Sequence, residues 1–432
     1  MQKPKFFKSL AGDTPLPIFF PDATKAVLKT LDSVDIEGTK TPGVLVNTFH
    51  LYEGLGKRVL KEFGGVREFM AWKGGVISDS GGFQLMSLVK APLRHPLREG
   101  YEGREGFEGQ AGKVTDEGIL FHPTKNKRDM FTPEKSVDFQ MLLKPDMVVV
   151  LDDFTPPTAT YEEAEETVRR TVLWAQRSKD EFVKACKRLK LAKKERPYLL
   201  GVVQGGFFED LRRECARELV KIGFDGFGYG GWPIKKDKSF DYDSARYIAE
   251  EAPEGYLLYG LGIGKPNEVR DLVRMGYDIF DCVLPSRDAR HKRMYVFKAD
   301  SMEEIDLNKD DFWGYYVPTK EKYYADSEPV SRACDCLTCT RYSRAYLAHL
   351  FRVGDMTAGR LATIHNLRFY SLLMERLRPT PTAGGPFHGQ WRSCAVPPRH
   401  KCDNKSNTAL TFKSRAVFER WVNSRGSFQL DA

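Results

Sequence analysis

The chain reads as an α/β protein whose strands close into a (β/α)8 TIM-like barrel, and three observations predict this. First, seven short apolar runs recur between residues 40 and 300: Gly43–Val46, Gly75–Ile77, Met147–Leu151, Tyr198–Val203, Phe224–Tyr229, Tyr256–Leu261 and Tyr277–Leu284. Several are rich in Val, Ile and Tyr and bounded by Gly, Asp or Pro, as strands buried on both faces are. Second, stretches with apolar residues at helical spacing lie between them, at Tyr161–Leu189, Glu209–Ile222, Tyr242–Glu251 and Asn267–Met275. Repeated strand-then-helix units give a parallel sheet. Third, an N-terminal segment brings the strand count to that of the barrel. An open doubly wound sheet stands second, because no Gly-rich nucleotide fingerprint opens any of the helices.

The 432 residues, 41% of them hydrophobic, suffice for one large core plus an appendage, or for two domains. No apolar run reaches the ~20 residues of a membrane span. The basic segment Met1–Leu10 lacks the apolar stretch of a signal peptide. Five of the eight cysteines are scattered, which predicts a reducing, cytoplasmic setting and not a disulfide scaffold. A net charge of +8 is a mild pointer to a polyanionic partner. Residues 90–115 carry a small Glu/Gly-rich repeat and read as an insertion. Beyond Pro379 the chain reads as an appendage of no assigned role. His388, Cys394, His400 and Cys402 lie there, at a spacing that fits no metal motif.

Cys334, Cys336 and Cys339 crowd three thiols into six residues. Such near neighbours do not bridge easily, whereas three thiolates and one imidazole make a closed tetrahedral zinc site. With every position filled by protein, such a zinc is structural. His349, on an expected helix Ser343–Phe351, and His365 compete for the fourth position.

In a parallel barrel, side chains at the C-terminal strand ends converge on one mouth. Asp79 follows Gly75–Ile77, Asp152 and Asp153 end Met147–Leu151, and Gln204 precedes Gly205-Gly206. Gly230-Gly231 follows Tyr229, and Asp281 interrupts Tyr277–Leu284. One such aspartate is often only a helix cap. Several beside glycines suggest a ligand site, and paired carboxylates are what chemistry at a sugar's anomeric carbon needs. Gln204 and the Gly230-Gly231 backbone suit the edge of a planar base, on which Phe83 can stack. Arg287, Arg290, Lys292 and Arg293 put four cations in seven residues beside that mouth. Such a loop suits a phosphate backbone, or is simply solvated.

Taken together, these residues resemble the tRNA-guanine transglycosylase family. The likeness runs from about Leu16 to Arg378. It is carried by Asn47-Thr48-Phe49-His50-Leu51, Ser78-Asp79-Ser80-Gly81-Gly82-Phe83-Gln84 and Thr132-Pro133-Glu134-Lys135-Ser136. Val203-Gln204-Gly205-Gly206, Gly262-Ile263-Gly264-Lys265-Pro266, Phe280-Asp281-Cys282-Val283-Leu284-Pro285 and the Cys/His set complete it.

The resemblance implies a barrel with a structural zinc-binding subdomain attached after the last strands. Residues 1–300 would hold the main part of the barrel, 301–378 the zinc subdomain and the return to the barrel, and 379–432 the appendage. It implies exchange of guanine for a 7-deazaguanine in a tRNA anticodon, without a nucleotide or redox cofactor. Asp281 would be the nucleophile and Asp79 the general acid/base. Phe83, Asp152, Gln204, Gly231 and Leu261 would form the base pocket. Arg287 and Arg290 match arginines of the anticodon-binding loop, and His365, in a His-Asn-Leu segment, matches the fourth zinc ligand. Bacterial members of the family pair as homodimers.

The chain departs from the family pattern at Trp232-Pro233-Ile234-Lys235-Lys236 and at Phe154, both expected beside the 7-substituent. The incoming base therefore stays open between queuine and its aminomethyl precursor. Two other readings stand behind the first: a relative that inserts a deazaguanine into DNA, and a non-catalytic partner subunit. Asp79, Asp152 and Asp281 are all present, which disfavours the last.

Overall fold

A computed structural model describes residues 4–89, 112–124 and 127–378. Eight parallel strands form one sheet: β1 (Ile18–Pro21), β2 (Gly43–Asn47), β3 (Gly75–Asp79), β4 (Met147–Val149), β5 (Tyr198–Val203), β6 (Gly226–Tyr229), β7 (Leu257–Gly260) and β8 (Ile279–Cys282). Each pairs with its sequence neighbour, and β8 pairs in turn with β1. A parallel bridge between Asp22 and Leu45 joins β1 to β2, with Ala23 N–H donating to Leu45 O at 2.7 Å. The sheet therefore closes into the predicted barrel. The N-terminal segment supplies the eighth strand.

Strand alternation separates two cores, since successive side chains point to opposite faces. Ile18, Phe20, Leu45, Ile77, Met147, Val149, Leu200, Val202, Leu257, Tyr259 and Ile279 fill the interior. Phe19, Val44, Val76, Val148, Leu199, Leu258 and Phe280 face the helices. Phe20 explains Gly43: a Cβ there would stand 1.6 Å from the Phe20 ring. A hairpin, Phe6–Ser9 with Gly12–Pro15, lies at the N-terminal end of the barrel. Its Phe7 ring sits 5.6 Å from Phe20 and 5.3 Å from Tyr198. With that end plugged, the opposite end is the mouth.

The helices fall close to expectation, at Tyr161–Arg188, Glu209–Ile222, Tyr242–Glu251 and Pro266–Arg274. Thr160 and Glu163 form a reciprocal capping box at the start of the first. Residues 90–111 lie outside the described residues, as do 125–126 and the tail from 379, with Cys394 and Cys402. Residues 112–131 include a small antiparallel sheet, Lys113–Val114, Ile119–Thr124 and Lys127–Phe131, that the apolar pattern did not predict.

After β8 the chain forms helix Leu284–Arg290 and the hairpin Met294–Phe297 with Trp313–Tyr316. The cysteine segment follows, then helices Arg344–Val353 and Met356–Leu377. Helix Met356–Leu377 lies back against the barrel, with the Tyr370 ring 4.3 Å from that of Phe19 on β1. No helix among the described residues is long and apolar enough to cross a membrane.

Candidate active site and metal centre

The inward alternation that buries Ile77 and Ile279 places Asp79 and Asp281 two residues further up their strands, at the mouth. Asp79 accepts a hydrogen bond from Asn47 Nδ2 at 2.7 Å. The Asn47 amide cannot turn, because its Oδ1 caps helix Thr48–Gly54 by accepting from His50 N–H at 3.1 Å. Thr48 Oγ1 donates to Asp79 O at 2.5 Å and fixes the backbone. Burial raises the Asp79 pKa to about 6, against the Asn47 hydrogen bond and with the Asp22 charge adding to the rise.

Asp281 is 6% exposed and accepts from the Gly262 N–H at 2.9 Å. Burial raises its pKa to about 7, opposed by that N–H, with Asp22 and Asp79 adding. The Tyr259 hydroxyl of β7 faces this carboxyl and eases the rise. A buried carboxyl in a low-dielectric mouth with like-charged neighbours resists ionisation, which is the usual signature of functional acids.

Across the mouth, Gln204 Nε2 donates to Asp152 Oδ2 at 2.6 Å, and Gln204 Oε1 accepts from Thr155 N–H at 3.2 Å. Burial raises the Asp152 pKa to about 7, opposed by Gln204 and helped by Asp79 and Asp153. Asp153, its neighbour, has another role. It is fully buried and ion-paired with Arg170 of helix Tyr161–Arg188. Gly231 sits at φ +85°, and a Cβ on Gly230 would meet Gln204 Nε2 at 2.7 Å. Only glycine lets this turn lie against the amide.

Arg212, 1% exposed, ties the ends of β5 and β6 together, which sequence reasoning missed. It donates to Val203 O at 2.6 Å, Gly206 O at 2.8 Å and Gly230 O at 2.8 Å, with its guanidinium over Tyr229. Phe83 is 45% exposed, with Phe154 edge-on at 5.0 Å. Leu261 is half-buried and packs where a Gly228 side chain would otherwise lie. Trp232–Lys236 begins a small turn in which Ile234 bridges to Phe240 and Lys235 pairs with Asp241 at 3.3 Å.

The four predicted cations separate into two kinds. Arg287 and Arg290 lie one turn apart on helix Leu284–Arg290, half-buried, and make no ion pair among the described residues. Burial and the Arg287 charge lower the Arg290 pKa. Arg293 pairs with Asp288 at 2.9 Å and lies over Tyr315, while Lys292 is exposed.

Cys334, Cys336, Cys339 and His365 bring one ligand atom each to within 4.8 Å of all the others, and all four are largely withdrawn from solvent. His365 Nδ1 lies 3.2 Å from Cys339 Sγ and 3.6 Å from Cys336 Sγ. Its Nε2 lies 2.7 Å from the Tyr295 carbonyl, so Nε2 carries the proton and Nδ1 presents its lone pair to the sulfurs. Ligand atoms around a tetrahedral zinc stand about 3.3–3.8 Å apart by bond length, so this donor set fits a metal. His349 is exposed on its helix and is not part of this group.

Asp335 accepts from Arg368 Nε at 2.5 Å and from Lys40 at 3.0 Å, pinning the cysteine loop to helix Met356–Leu377 and to the segment before β2. Beside His365, Asn366 Nδ2 donates to Pro285 O at 2.9 Å and to Arg293 O at 3.1 Å, while its Oδ1 accepts from Tyr295 N–H at 3.0 Å. The Cys3His group is thus fastened to the loop that follows Asp281.

Residues 7–384 match the model of the family described as Queuine tRNA-ribosyltransferase. A queuine tRNA-ribosyltransferase of Thermoanaerobacter sp. (strain X514) is 36% identical over 363 residues, 84% of this chain and 85% of that protein. One from Shewanella sp. (strain W3-18-1) is 35% identical over 368 residues, 85% of this chain and 87% of its own. One from Acinetobacter baylyi is also 35% identical over 368 residues, 85% of this chain and 84% of its own. With a closed barrel, a Cys3His centre and a match over most of its length, the chain belongs to the queuine tRNA-ribosyltransferase family.

Proposed function

We propose that this chain is a tRNA-guanine transglycosylase, exchanging guanine at the wobble position of a tRNA anticodon for a 7-deazaguanine by double displacement. The observation that carries the reading is the pair of carboxyls at the ends of β3 and β8, in one mouth with the coupled Asp152–Gln204 pair. An Asp281 oxygen attacks C1′ of the ribose, the bond from C1′ to guanine N9 breaks, and Asp79 protonates the departing base. Asp79 then takes a proton from the incoming base. The nitrogen of that base attacks C1′ and releases the Asp281 carboxylate. Two inversions retain configuration.

Asp152 accepts from the base's N–H groups, while Gln204 and the Gly231 backbone donate to its carbonyl. Phe83 covers the ring, and Leu261 supports it. Arg287 and Arg290, with Lys292 and Arg293 further along the loop, hold phosphates of the anticodon arm. The Cys334, Cys336, Cys339 and His365 set suits Zn2+, one per chain, in a structural role. Reduced cysteines agree with a cytoplasmic enzyme, and family likeness supports a homodimer.

The test is incubation with labelled guanine and bulk tRNA, with matched DNA as control. Label should enter tRNA alone. Label in DNA alone would move the reading to the DNA-modifying relative, and label in neither would sink both. Sedimentation of the same preparation as a monomer at micromolar concentration would remove the homodimer.

Binding should also weaken as salt rises. Replacing Arg287 or Arg290 should reduce the slope of log affinity against log salt by about one for each phosphate that the side chain no longer neutralises. Arg293→Ala should change the slope less, because Asp288 already neutralises that cation. An affinity that ignores salt would remove the phosphate role.

A further inference from the structure

A fourth carboxylate stands at the mouth, beside Asp79, Asp281 and Asp152, and has no part in the exchange chemistry above. Asp22 follows β1, whose Ile18 and Phe20 point into the barrel. Period two therefore aims Asp22 inward, as it aims Asp79 past Ile77 and Asp281 past Ile279. Its charge is felt by Asp79, Asp281 and Tyr259 within the mouth, and by Arg290 on the outer side.

Thr24 donates its backbone N–H, at 2.7 Å, and its hydroxyl to the same oxygen, Oδ1. The other oxygen makes no hydrogen bond among the described residues, and the side chain is intermediate in exposure. Burial raises its own pKa, against the Thr24 hydrogen bonds and the Lys29 and Arg290 charges. The Tyr259 hydroxyl, on a side chain 0% exposed, is directed at the same cluster and faces Asp281. After burial, the charge of Asp281 and a hydrogen bond to it raise its pKa, and the charges of Asp79 and Asp22 add to the rise. An acceptor that no described group uses thus stands beside the proposed nucleophile.

The order of elements around the barrel says what meets Asp22. The base recognisers stand on β4, β5 and the turn after β6, and Asp281 stands on β8. Asp22 follows β1, which lies next to β8, and Arg287 and Arg290 follow β8. Between a base and its phosphates lies the sugar. A carboxylate repels phosphate, and Asp22 is on the far side from the base edge. A sugar hydroxyl is the remaining group that an acceptor can bind there. The carbon beside C1′ carries the 2′-hydroxyl, the group that separates RNA from DNA.

We propose that Asp22 accepts a hydrogen bond from the 2′-hydroxyl of the nucleotide undergoing exchange, and so selects RNA over DNA. The inference rests on the transglycosylase reading.

The experiment uses an anticodon stem-loop RNA with either guanosine or 2′-deoxyguanosine at the exchanged position, and reads equilibrium binding and single-turnover incorporation of labelled guanine. The wild-type chain should lose about 10- to 100-fold on the deoxy substrate, as for one hydrogen bond to a charged group. Asp22→Ala should lose a similar factor on the all-RNA substrate and then discriminate less than about threefold. Asp22→Asn retains an acceptor for Thr24, and should show intermediate discrimination even where the alanine variant fails to fold. A full deoxy penalty in folded Asp22→Ala or in Asp22→Asn, or no penalty in the wild type, would overturn the assignment of Asp22 while leaving the exchange reaction standing. A wild-type chain that binds the stem-loop and exchanges no guanine would instead overturn the transglycosylase reading.

Discussion

Asp281→Asn should abolish the covalent RNA adduct and lower turnover by at least about 10⁴-fold, as loss of a nucleophile does, while tRNA binding stays within a few-fold. The amide oxygen can still accept from the Gly262 N–H, so the loop keeps its anchor while the attacking anion is lost. The adduct is read on a denaturing gel after trapping with a slow competing base. A shifted band in Asp281→Asn would move the nucleophile elsewhere, with Asp79 the next candidate. Asp79→Asn should slow exchange by about 10²- to 10⁴-fold, the range for general acid–base catalysis, and retain part of the adduct.

Two pH effects accompany this. Attack needs the anion of Asp281, whose pKa in the free protein is raised to about 7, so kcat/KM in the wild type should fall as pH drops below about 7. Stability should run the other way. A carboxyl whose folded pKa is raised contributes stability that is fully present below its unfolded value, and loses it as pH rises through the folded value near 7. At pH 8 the wild type therefore carries a strained anion that the asparagine variant lacks. Asp281→Asn should be more stable than wild type at pH 8, by about 1–3 kcal/mol. The gap should narrow towards pH 5. Equal melting differences at both pH values would show that burial does not hold this carboxyl protonated.

What the sequence revealed follows from which signals are local. Strands buried on both faces read as continuous apolar runs, so seven were visible. Ile18–Pro21 is four residues ending in proline, and showed only as a segment needed to complete a count. Asp79, Asp152, Gln204 and Asp281 stood out because each is polar at the end of an apolar run or within one; Asp152 lies beside another acid, Gln204 beside glycine and Asp79 two residues before a glycine pair.

Asn47, Tyr259, Arg212 and Asp22 carried no such mark. Asn47 shows its function only when β2 lies beside β3 and its amide is locked between a helix end and Asp79. Tyr259 reads as one more apolar strand residue. Arg212 reads as an ordinary basic residue on an amphipathic helix, yet it is buried against three carbonyls. The Asp22 charge acts on Asp281 because the barrel sets β1 against β8 across some 260 residues of chain, and no local pattern reports a proximity of that range. The cysteines were legible from spacing, whereas the choice between His349 and His365 required either family likeness or the fold.

Cys336→Ser should deprive the chain of its bound metal and destabilise the part of the fold that the metal centre holds. The substitution separates two functions of one residue. Cys336 caps helix Leu337–Arg341, its Sγ accepting from Cys339 N–H at 3.4 Å. Serine is among the best residues at that cap, so the short helix keeps its start while the thiolate ligand is lost. Because ligand geometry exists only in the folded chain, metal affinity is folding energy, and its loss should lower Tm by on the order of 5–10 °C. The effect should not stay local. His365 and Asn366 are adjacent, and Asn366 holds the Pro285 and Arg293 carbonyls on either side of the Arg287–Arg290 segment. Loosening helix Met356–Leu377 should therefore weaken tRNA binding, although no ligand of the metal reaches the mouth. Metal content by elemental analysis, melting temperature and tRNA affinity together decide the matter. His365→Ala should match Cys336→Ser in all three, and His349→Ala, changed at an exposed position, should match the wild type. Stoichiometric zinc in Cys336→Ser, or metal loss in His349→Ala without loss in His365→Ala, would show that the ligand set is wrong. Metal loss with unchanged tRNA affinity would leave the ligands standing and break the link through Asn366 to the anticodon-binding loop.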